Sequence, residues 1–239
     1  MRVLTALSSK GGVGKTTTIM ALASAAQSLG QRVVIIDTDQ NTPVSRWRDA
    51  AIANGNWNDS VTVEMHMEFD KIQESVIAHE EGNTADLVLI DPRGGRSEFH
   101  NALVQIVDFI LIPSRPIKVD ADEVISTIKW LGKLSQAGAD IPPYKLLFAA
   151  IRPEKQLTAE MQVIREALQT SPHLTARMVE RAGFMNMQTR GLLGPIIDNL
   201  KADSDALVRG QARTYTIALK EACELLNEVD SLIPEAEAA

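Results

Sequence analysis

The residues best placed to do chemistry form one run near the start of the chain: Ser9-Lys10-Gly11-Gly12-Val13-Gly14-Lys15-Thr16-Thr17. Its glycines let the backbone curl until successive N–H groups point at phosphate oxygens. Lys15 can bridge β- and γ-phosphates, and the Thr16 hydroxyl suits Mg²⁺. The strict pattern G-x-x-x-x-G-K-[ST] misses by one residue, because Ser9 stands where the first glycine belongs. Lys10 adds a second cation, and a second cation near a γ-phosphate stabilises charge in the transition state. Three acids complete the set. Asp37 and Asp39 follow the apolar run Arg32 to Ile36, and Asp91 follows Asp86 to Ile90. Carboxylates beside Mg²⁺ and a lytic water are what phosphoryl transfer to water requires. The expected cofactors are therefore a nucleoside triphosphate and Mg²⁺, and the expected reaction is hydrolysis of the triphosphate to diphosphate and phosphate.

These residues need a scaffold that brings loop ends together. Strand-length apolar runs alternate with helical stretches along the chain. Strands are expected at Val3–Leu7, Arg32–Ile36, Val61–Met65, Asp86–Ile90, Phe109–Ile112 and Lys145–Ala150. Helices are expected at Thr16–Leu29, Pro43–Ala53, Phe69–His79, Ser97–Ile106, Asp120–Gln136 and Thr158–Gln169. Residues Leu174 to Gly194 give at most a short strand near Met178, and Asp203–Val229 reads as one long helix or a broken pair. The alternation implies an α/β fold: a mostly parallel twisted sheet covered by helices on both faces. Ligands in such folds sit at the carboxyl ends of the strands. The glycine loop, Asp37 and Asp91 all fall there. No repeat or linker interrupts residues 1–239, so a single ATPase domain is expected.

Bulk properties exclude several classes. Hydrophobic residues make up 45%, enough for a sizeable core, while the net charge is −7 and the pI about 5.2. An acidic chain binds nucleic acid only through a local basic patch. With one cysteine, Cys223, the chain forms no internal disulfide and no Cys-ligated metal site. No signal-peptide pattern opens the chain, and no apolar run approaches the ~20 residues of a membrane span. The closing segment Pro234 to Ala239 is acidic and a poor anchor for anionic lipid. A cytoplasmic protein is expected.

The loop K-G-G-x-G-K-T-T, with Asp37-Thr38-Asp39 and the strand ending at Asp91, resembles the deviant Walker A motif set of the ParA/MinD superfamily. The match is most specific over residues 3–41 and 86–92. Further stretches resemble the VirC-type ATPases of agrobacterial T-DNA transfer: Asp39-Gln40-Asn41 through Ser45-Arg46-Trp47-Arg48, Gly94-Gly95 with Ser97-Glu98, and Asp120 to Trp130. The resemblance implies a homodimer that closes on ATP, in which Lys10 reaches the partner's nucleotide. It implies that Asp39 orients the attacking water, that Asp37 lies near the magnesium shell, and that Asp91 acts as the Walker B acid. Pro92-Arg93-Gly94-Gly95-Arg96 would be the switch loop. Its two arginines depart from the family, and solvation is favoured for them over contact with phosphate or a partner. Relatives place an Asn beyond the strand equivalent to Lys145–Ala150. Here Arg152 takes that place and is the candidate adenine contact.

The resemblance also implies non-specific DNA binding by the dimer, hydrolysis triggered by a ParB-like or relaxosome-type partner, and association with a bacterial nucleoid. Candidate phosphate contacts are Arg177, Arg181, Arg190, Lys201, Arg209 and Arg213. The helix-turn-helix extension of larger ParA proteins is missing, so sequence-specific operator binding is not expected. Alternatives are a MinD-like positioning ATPase for a membrane complex or protein cluster, and a metabolic ATP-dependent ligase on the same scaffold. The acidic tail argues against the first. For a glutamine-dependent ligase the nucleophile would have to be Cys223, which falls within a helix. An iron-protein-like electron carrier needs two cluster cysteines per subunit. A non-enzymatic binding module leaves Lys10, Lys15, Asp39 and Asp91 unexplained.

Overall fold

The computed structural model describes residues 1–234; the acidic tail beyond Pro234 lies outside the described residues. Strands β1 (Arg2–Ala6), β2 (Val33–Asp37), β3 (Val61–Met65), β4 (Leu87–Asp91), β5 (Phe109–Ser114), β6 (Tyr144–Ile151) and β7 (His173–Val179) form one sheet. Its order is β3-β2-β4-β1-β5-β6-β7, and every pairing is parallel. The chain leaves β1, builds outward through β2 and β3, and returns to place β4 between β2 and β1. It then continues on the far side of β1. The carboxyl ends of β1, β2 and β4 therefore meet at the point where the winding reverses, where α/β sheets bind ligands.

Helices cover both faces. One carries α1 (Lys15–Ser28), α2 (Pro43–Ala53), α7 (Ala182–Arg190), α8 (Leu193–Ala202) and α9 (Ala206–Asp230). The other carries α3 (Phe69–Glu81), α4 (Glu98–Leu103), α5 (Lys118–Gln136) and α6 (Ala159–Leu168). Central strands bury both faces, which is why β2 and β4 read as continuous apolar runs. Helix α1 is Ala-rich and buried throughout Thr18–Ala26, because it lies between the sheet and α9 and small side chains permit that approach.

The stretch after Leu174 holds more order than its sequence pattern predicts. It contains a full seven-residue strand and two helices. Glycines obscure the helical pattern, yet packing requires them. A Cβ at Gly183 would lie 2.8 Å from Ala218 Cβ, and one at Gly191 would lie 2.6 Å from Ala51 Cβ. Those positions let α7 wedge between α2 and α9. The alternative of a broken final helix is also resolved: α9 runs unbroken for 25 residues. Its glutamates protect the exposed edge of the sheet. Glu228 accepts from the backbone N–H of Thr175 and Ala176, and Glu221 from that of Val179.

Candidate nucleotide site

The loop after β1 has the conformation its glycines allow. Gly12 and Gly14 have φ of 74° and 103°, in the left-handed region that favours glycine. Gly14 also caps α1, and no side chain occupies the cap. The first-turn N–H groups thus face a cavity of about 450 Å³ lined by Gly11 through Thr17, Asp39 and Asp91. That combination is an anion site. Lys15 donates to the Lys10 carbonyl at 3.0 Å. Burial lowers its pKa, opposed by the nearby charges of Asp91, Glu123 and Asp39.

Asp91 ends β4 directly opposite Asp37 of β2. Its Oδ2 accepts from the Thr16 hydroxyl at 2.7 Å, while its Oδ1 is buried without a partner among the described residues. Burial pushes its pKa up to about 7; Asp37 and Asp39 add to the rise, and the Thr16 bond and Lys15 oppose it. An orphan carboxylate oxygen paired with a threonine hydroxyl fits a hard divalent cation such as Mg²⁺, which would hold the acid ionised.

Asp37 is placed differently from the expectation of a magnesium-shell residue. Its Oδ2 accepts the N–H groups of Val44 and Ser45 at the start of α2, and its Oδ1 accepts that of Asp39. It is fully buried and does not line the cavity. Its carboxylate satisfies a helix terminus, which leaves Thr16 and Asp91 as the pair that could hold a cation. Asp39 does line the cavity, oriented by bonds from the Asn41 backbone and side-chain amides at 2.8 and 3.0 Å.

Lys10 stands on the loop but does not line the cavity of its own chain. Its ammonium pairs with Asp120, a buried acid that also takes Arg115 at 2.7 Å. Burial would raise the Asp120 pKa, but the two cations hold it below its usual range. Arg115 itself lines the cavity. Neither partner was marked by the loop motif, since Arg115 comes from the β5–α5 turn and Asp120 from the first turn of α5, more than 100 residues away in sequence.

The other end of the cavity is lined by Ala149, Ala150, Met178 to Arg181, Phe184, Met185 and Gln188. Ala150 holds φ of 49°, a costly conformation for a non-glycine residue, where the β6–β7 register shifts. Arg152 is not among the lining residues. Its guanidinium faces Glu180 at 3.8 Å and is largely exposed. The β7–α7 junction occupies the place expected for it, with Gln188 donating to the Thr17 hydroxyl at 3.1 Å.

The Pro92–Arg96 loop is tied at two points, with the Arg93 side chain exposed. The Arg93 N–H donates to Thr38 Oγ1 at 3.0 Å, and its guanidinium lies over Phe99. Arg96 bonds Ser126, Glu123 and Thr127 of α5. The solvation favoured from sequence fails for Arg96 because α5 brings acceptors beneath the loop. Trp47 and Trp57 pack edge to face at 5.2 Å, and Trp47 is buried, so it belongs to the core.

The six basic residues nominated for DNA divide. Arg177 pairs with Glu154 at 3.2 Å and Arg181 with Glu221 at 2.6 Å, which cancels their charge locally. Arg190 lies over the Tyr215 ring and donates to its hydroxyl. Arg209 donates to the carbonyls of Asp203 and Ser204. Lys201 and Arg213 are exposed and form no ion pair among the described residues.

Comparison with known proteins fits this geometry. The family model described as VirC1 protein matches residues 1–235. Protein virC1 of Rhizobium radiobacter is 32% identical over 221 residues, covering 92% of this chain and 94% of that protein. Apo McdA of Cyanothece superposes with a TM-score of 0.66 at 15% identity, over 93% of this chain and 99% of McdA. The pNOB8 ParA bound to nonspecific DNA superposes with a TM-score of 0.61 at 14% identity, over 96% and 99% of the two chains. The last two likenesses establish the fold, that of MinD/ParA-like P-loop proteins.

Proposed function

Because this chain belongs to the VirC1 family, we propose that it is a ParA-like, Mg²⁺-dependent ATPase that forms an ATP-dependent sandwich dimer, binds DNA non-specifically and positions a DNA cargo. Partition or conjugative transfer would be the setting, and an activating protein would trigger hydrolysis. The observation that carries the dimer is the placement of Lys10. It projects from the phosphate loop yet stays out of its own cavity, where its charge is available to a second nucleotide facing the loop. Asp120 holds it until such a phosphate competes for it.

Within each cleft the loop N–H groups and Lys15 bind the phosphates. Thr16 and Asp91 would hold Mg²⁺, which neutralises charge on the β- and γ-phosphates. Asp39, fixed by Asn41, is placed to orient water. Gly94 of the switch loop lines the same cavity, so the loop can respond to the γ-phosphate. The DNA surface is assigned to Arg190, Lys201, Arg209 and Arg213, the nominated cations that form no ion pair among the described residues. No described helix is long and apolar enough to cross a membrane.

The test is DNA binding with ATP, ADP and no nucleotide, at two salt concentrations, alongside Lys10→Ala. Binding that appears only with ATP, weakens with salt and vanishes in the variant supports the reading. Intact ATP hydrolysis with no DNA binding under any condition removes DNA from the mechanism. Arg209→Glu with Arg213→Glu should abolish binding without altering nucleotide affinity.

A further inference from the structure

The phosphate loop departs from the strict motif at Ser9, and the Pro92–Arg96 loop ends on the half-buried Arg96. The structure joins these two residues. Glu123 Oε1 accepts from the Ser9 N–H at 2.9 Å, the Ser9 hydroxyl at 2.7 Å and Arg96 Nη2 at 2.6 Å. Thr127 donates to the same oxygen at 3.2 Å. Four donors converge on one oxygen, more than its lone pairs serve at full strength. A glycine at position 9 would lose the hydroxyl bond, and an uncharged residue at 96 would lose the ion pair.

Two further contacts tie the loops together. A Cβ on Gly94 would lie 3.2 Å from the Ser9 carbonyl oxygen and 3.9 Å from Lys15 Nζ, so the switch backbone rests on the phosphate loop. Arg96 Nε is buried without a partner among the described residues. The clamp is thus incompletely satisfied in this state, and a shift of the loop that found Nε an acceptor would be favoured.

We propose that Glu123 is a positioning residue that binds phosphate loop and switch loop into one unit, so that occupancy of the γ-phosphate site is transmitted to Arg96 and the surface of α5. Ser9 and Arg96 are the two ends of this connection. The proposal rests on the ATPase reading above. It gives the α5 stretch from Asp120 to Trp130 a role: the helix carries Asp120 against Lys10 and Glu123 against Ser9. Both loops that surround the γ-phosphate are therefore referred to one rigid element. The outer side of that element exposes Val119 and Ile125.

The experiment compares the full chain with Glu123→Gln, Ser9→Gly, Arg96→Ala, Arg96→Lys and the Ser9→Gly/Arg96→Ala double variant. Amide hydrogen exchange of residues 93–97 is measured with ADP and with a non-hydrolysable ATP analogue, alongside nucleotide affinity, turnover and melting temperature. The wild type should show protection specific to the ATP analogue. Glu123→Gln should lose it while ADP affinity stays within about twofold and melting changes little, with kcat falling about tenfold and KM nearly unchanged. Ser9→Gly and Arg96→Ala should each lose most of the protection, the double variant no more than either alone, and Arg96→Lys should recover part. If the wild type binds ATP and Glu123→Gln keeps full ATP-specific protection, or the two single losses add, the proposal is overturned alone. If the wild type binds no ATP, the ATPase reading falls and carries the proposal with it.

Discussion

At its phosphate end the cleft presents backbone and charge: loop N–H groups, the positive end of α1, Lys15, and the Thr16–Asp91 pair. At its other end it presents side chains: Met178, Phe184, Met185 and Gln188, with Arg181 held by Glu221. The phosphate end comes mainly from one unbroken run of residues and the ends of two adjacent strands. The other is assembled from β6, β7 and α7, whose relative placement depends on Gly183 and Gly191 packing against distant helices. Local backbone geometry sets the first, and tertiary packing sets the second. The difference predicts that affinity resides at the phosphate end and discrimination between bases at the other.

The largest expected effect tests the first half of that division. Lys15→Ala should weaken ATP binding about 100-fold, since charge-assisted hydrogen bonds to phosphate contribute roughly 1.5–3 kcal/mol each. Titration calorimetry measures it directly. A loss under fivefold would mean that the loop N–H groups alone carry the phosphates, and that Lys15 serves the transition state only.

A smaller effect tests the second half. Gln188→Ala removes an exposed side chain that bonds Thr17 from α7. It should cost about fivefold in ATP affinity, on the order of 1 kcal/mol for one neutral hydrogen bond, and leave the melting temperature unchanged. The ratio of ATP to GTP affinity should shift in Gln188→Ala and stay constant in Lys15→Ala. Equal shifts in both variants would erase the distinction between the two ends.

The same division explains what the sequence made legible. Strand and helix positions through Ala150 were readable because each element is amphipathic or wholly apolar over its own length. That the glycine loop, Asp39 and Asp91 meet at one cavity was readable because strand ends and glycine spacing are local signals. Asp37 shows the limit: its position was right for a cation-facing acid, but the start of α2 claims Oδ2 and the Asp39 N–H claims Oδ1. Arg152 shows another, because the chain turns after β6 with Ala150 at positive φ, and the cleft wall is supplied by β7 instead. Arg115 carried no local pattern, and the stretch that holds Asp120 and Glu123 was marked only by resemblance, with no chemistry attached. Asp120 and Glu123 take their meaning from Lys10 and Ser9, 110 and 114 residues away, which periodicity does not reveal.

The smallest expected effect concerns pH, and it too separates the ends. On the phosphate side of the cleft, burial lowers the proton affinity of Lys15 and raises that of Asp91, and the bond to Asp120 raises that of Arg115. Next to them His100 lies buried under the switch loop, its Nε2 facing the Arg93 carbonyl at 2.9 Å and its Nδ1 the Ser97 hydroxyl at 3.0 Å. Burial lowers its pKa; the carbonyl opposes that, and the Arg93 and Lys15 charges add to it. The neighbouring Phe99 ring supplies no charge. Folded His100 thus resists a proton that the unfolded chain accepts near pH 6.5. Above that pH both states are neutral and stability does not depend on this group. As pH falls through about 6.5 the unfolded state takes up the proton first, so stability declines until the lowered folded pKa is reached. Asp91 acts in the opposite sense: with its pKa raised to about 7, it favours the folded state increasingly as pH falls from 7. The two contributions partly cancel in the wild type, so the informative quantity is the difference between wild type and His100→Gln in denaturant unfolding from pH 7.5 to 5. The variant should gain stability relative to wild type as the pH is lowered, and protection of residues 93–97, corrected for the intrinsic exchange rate at each pH, should fall below pH 6.5 in the wild type alone. Parallel stability curves would mean that His100 reaches solvent readily, and that the switch loop is held by Thr38 and Glu123 without it.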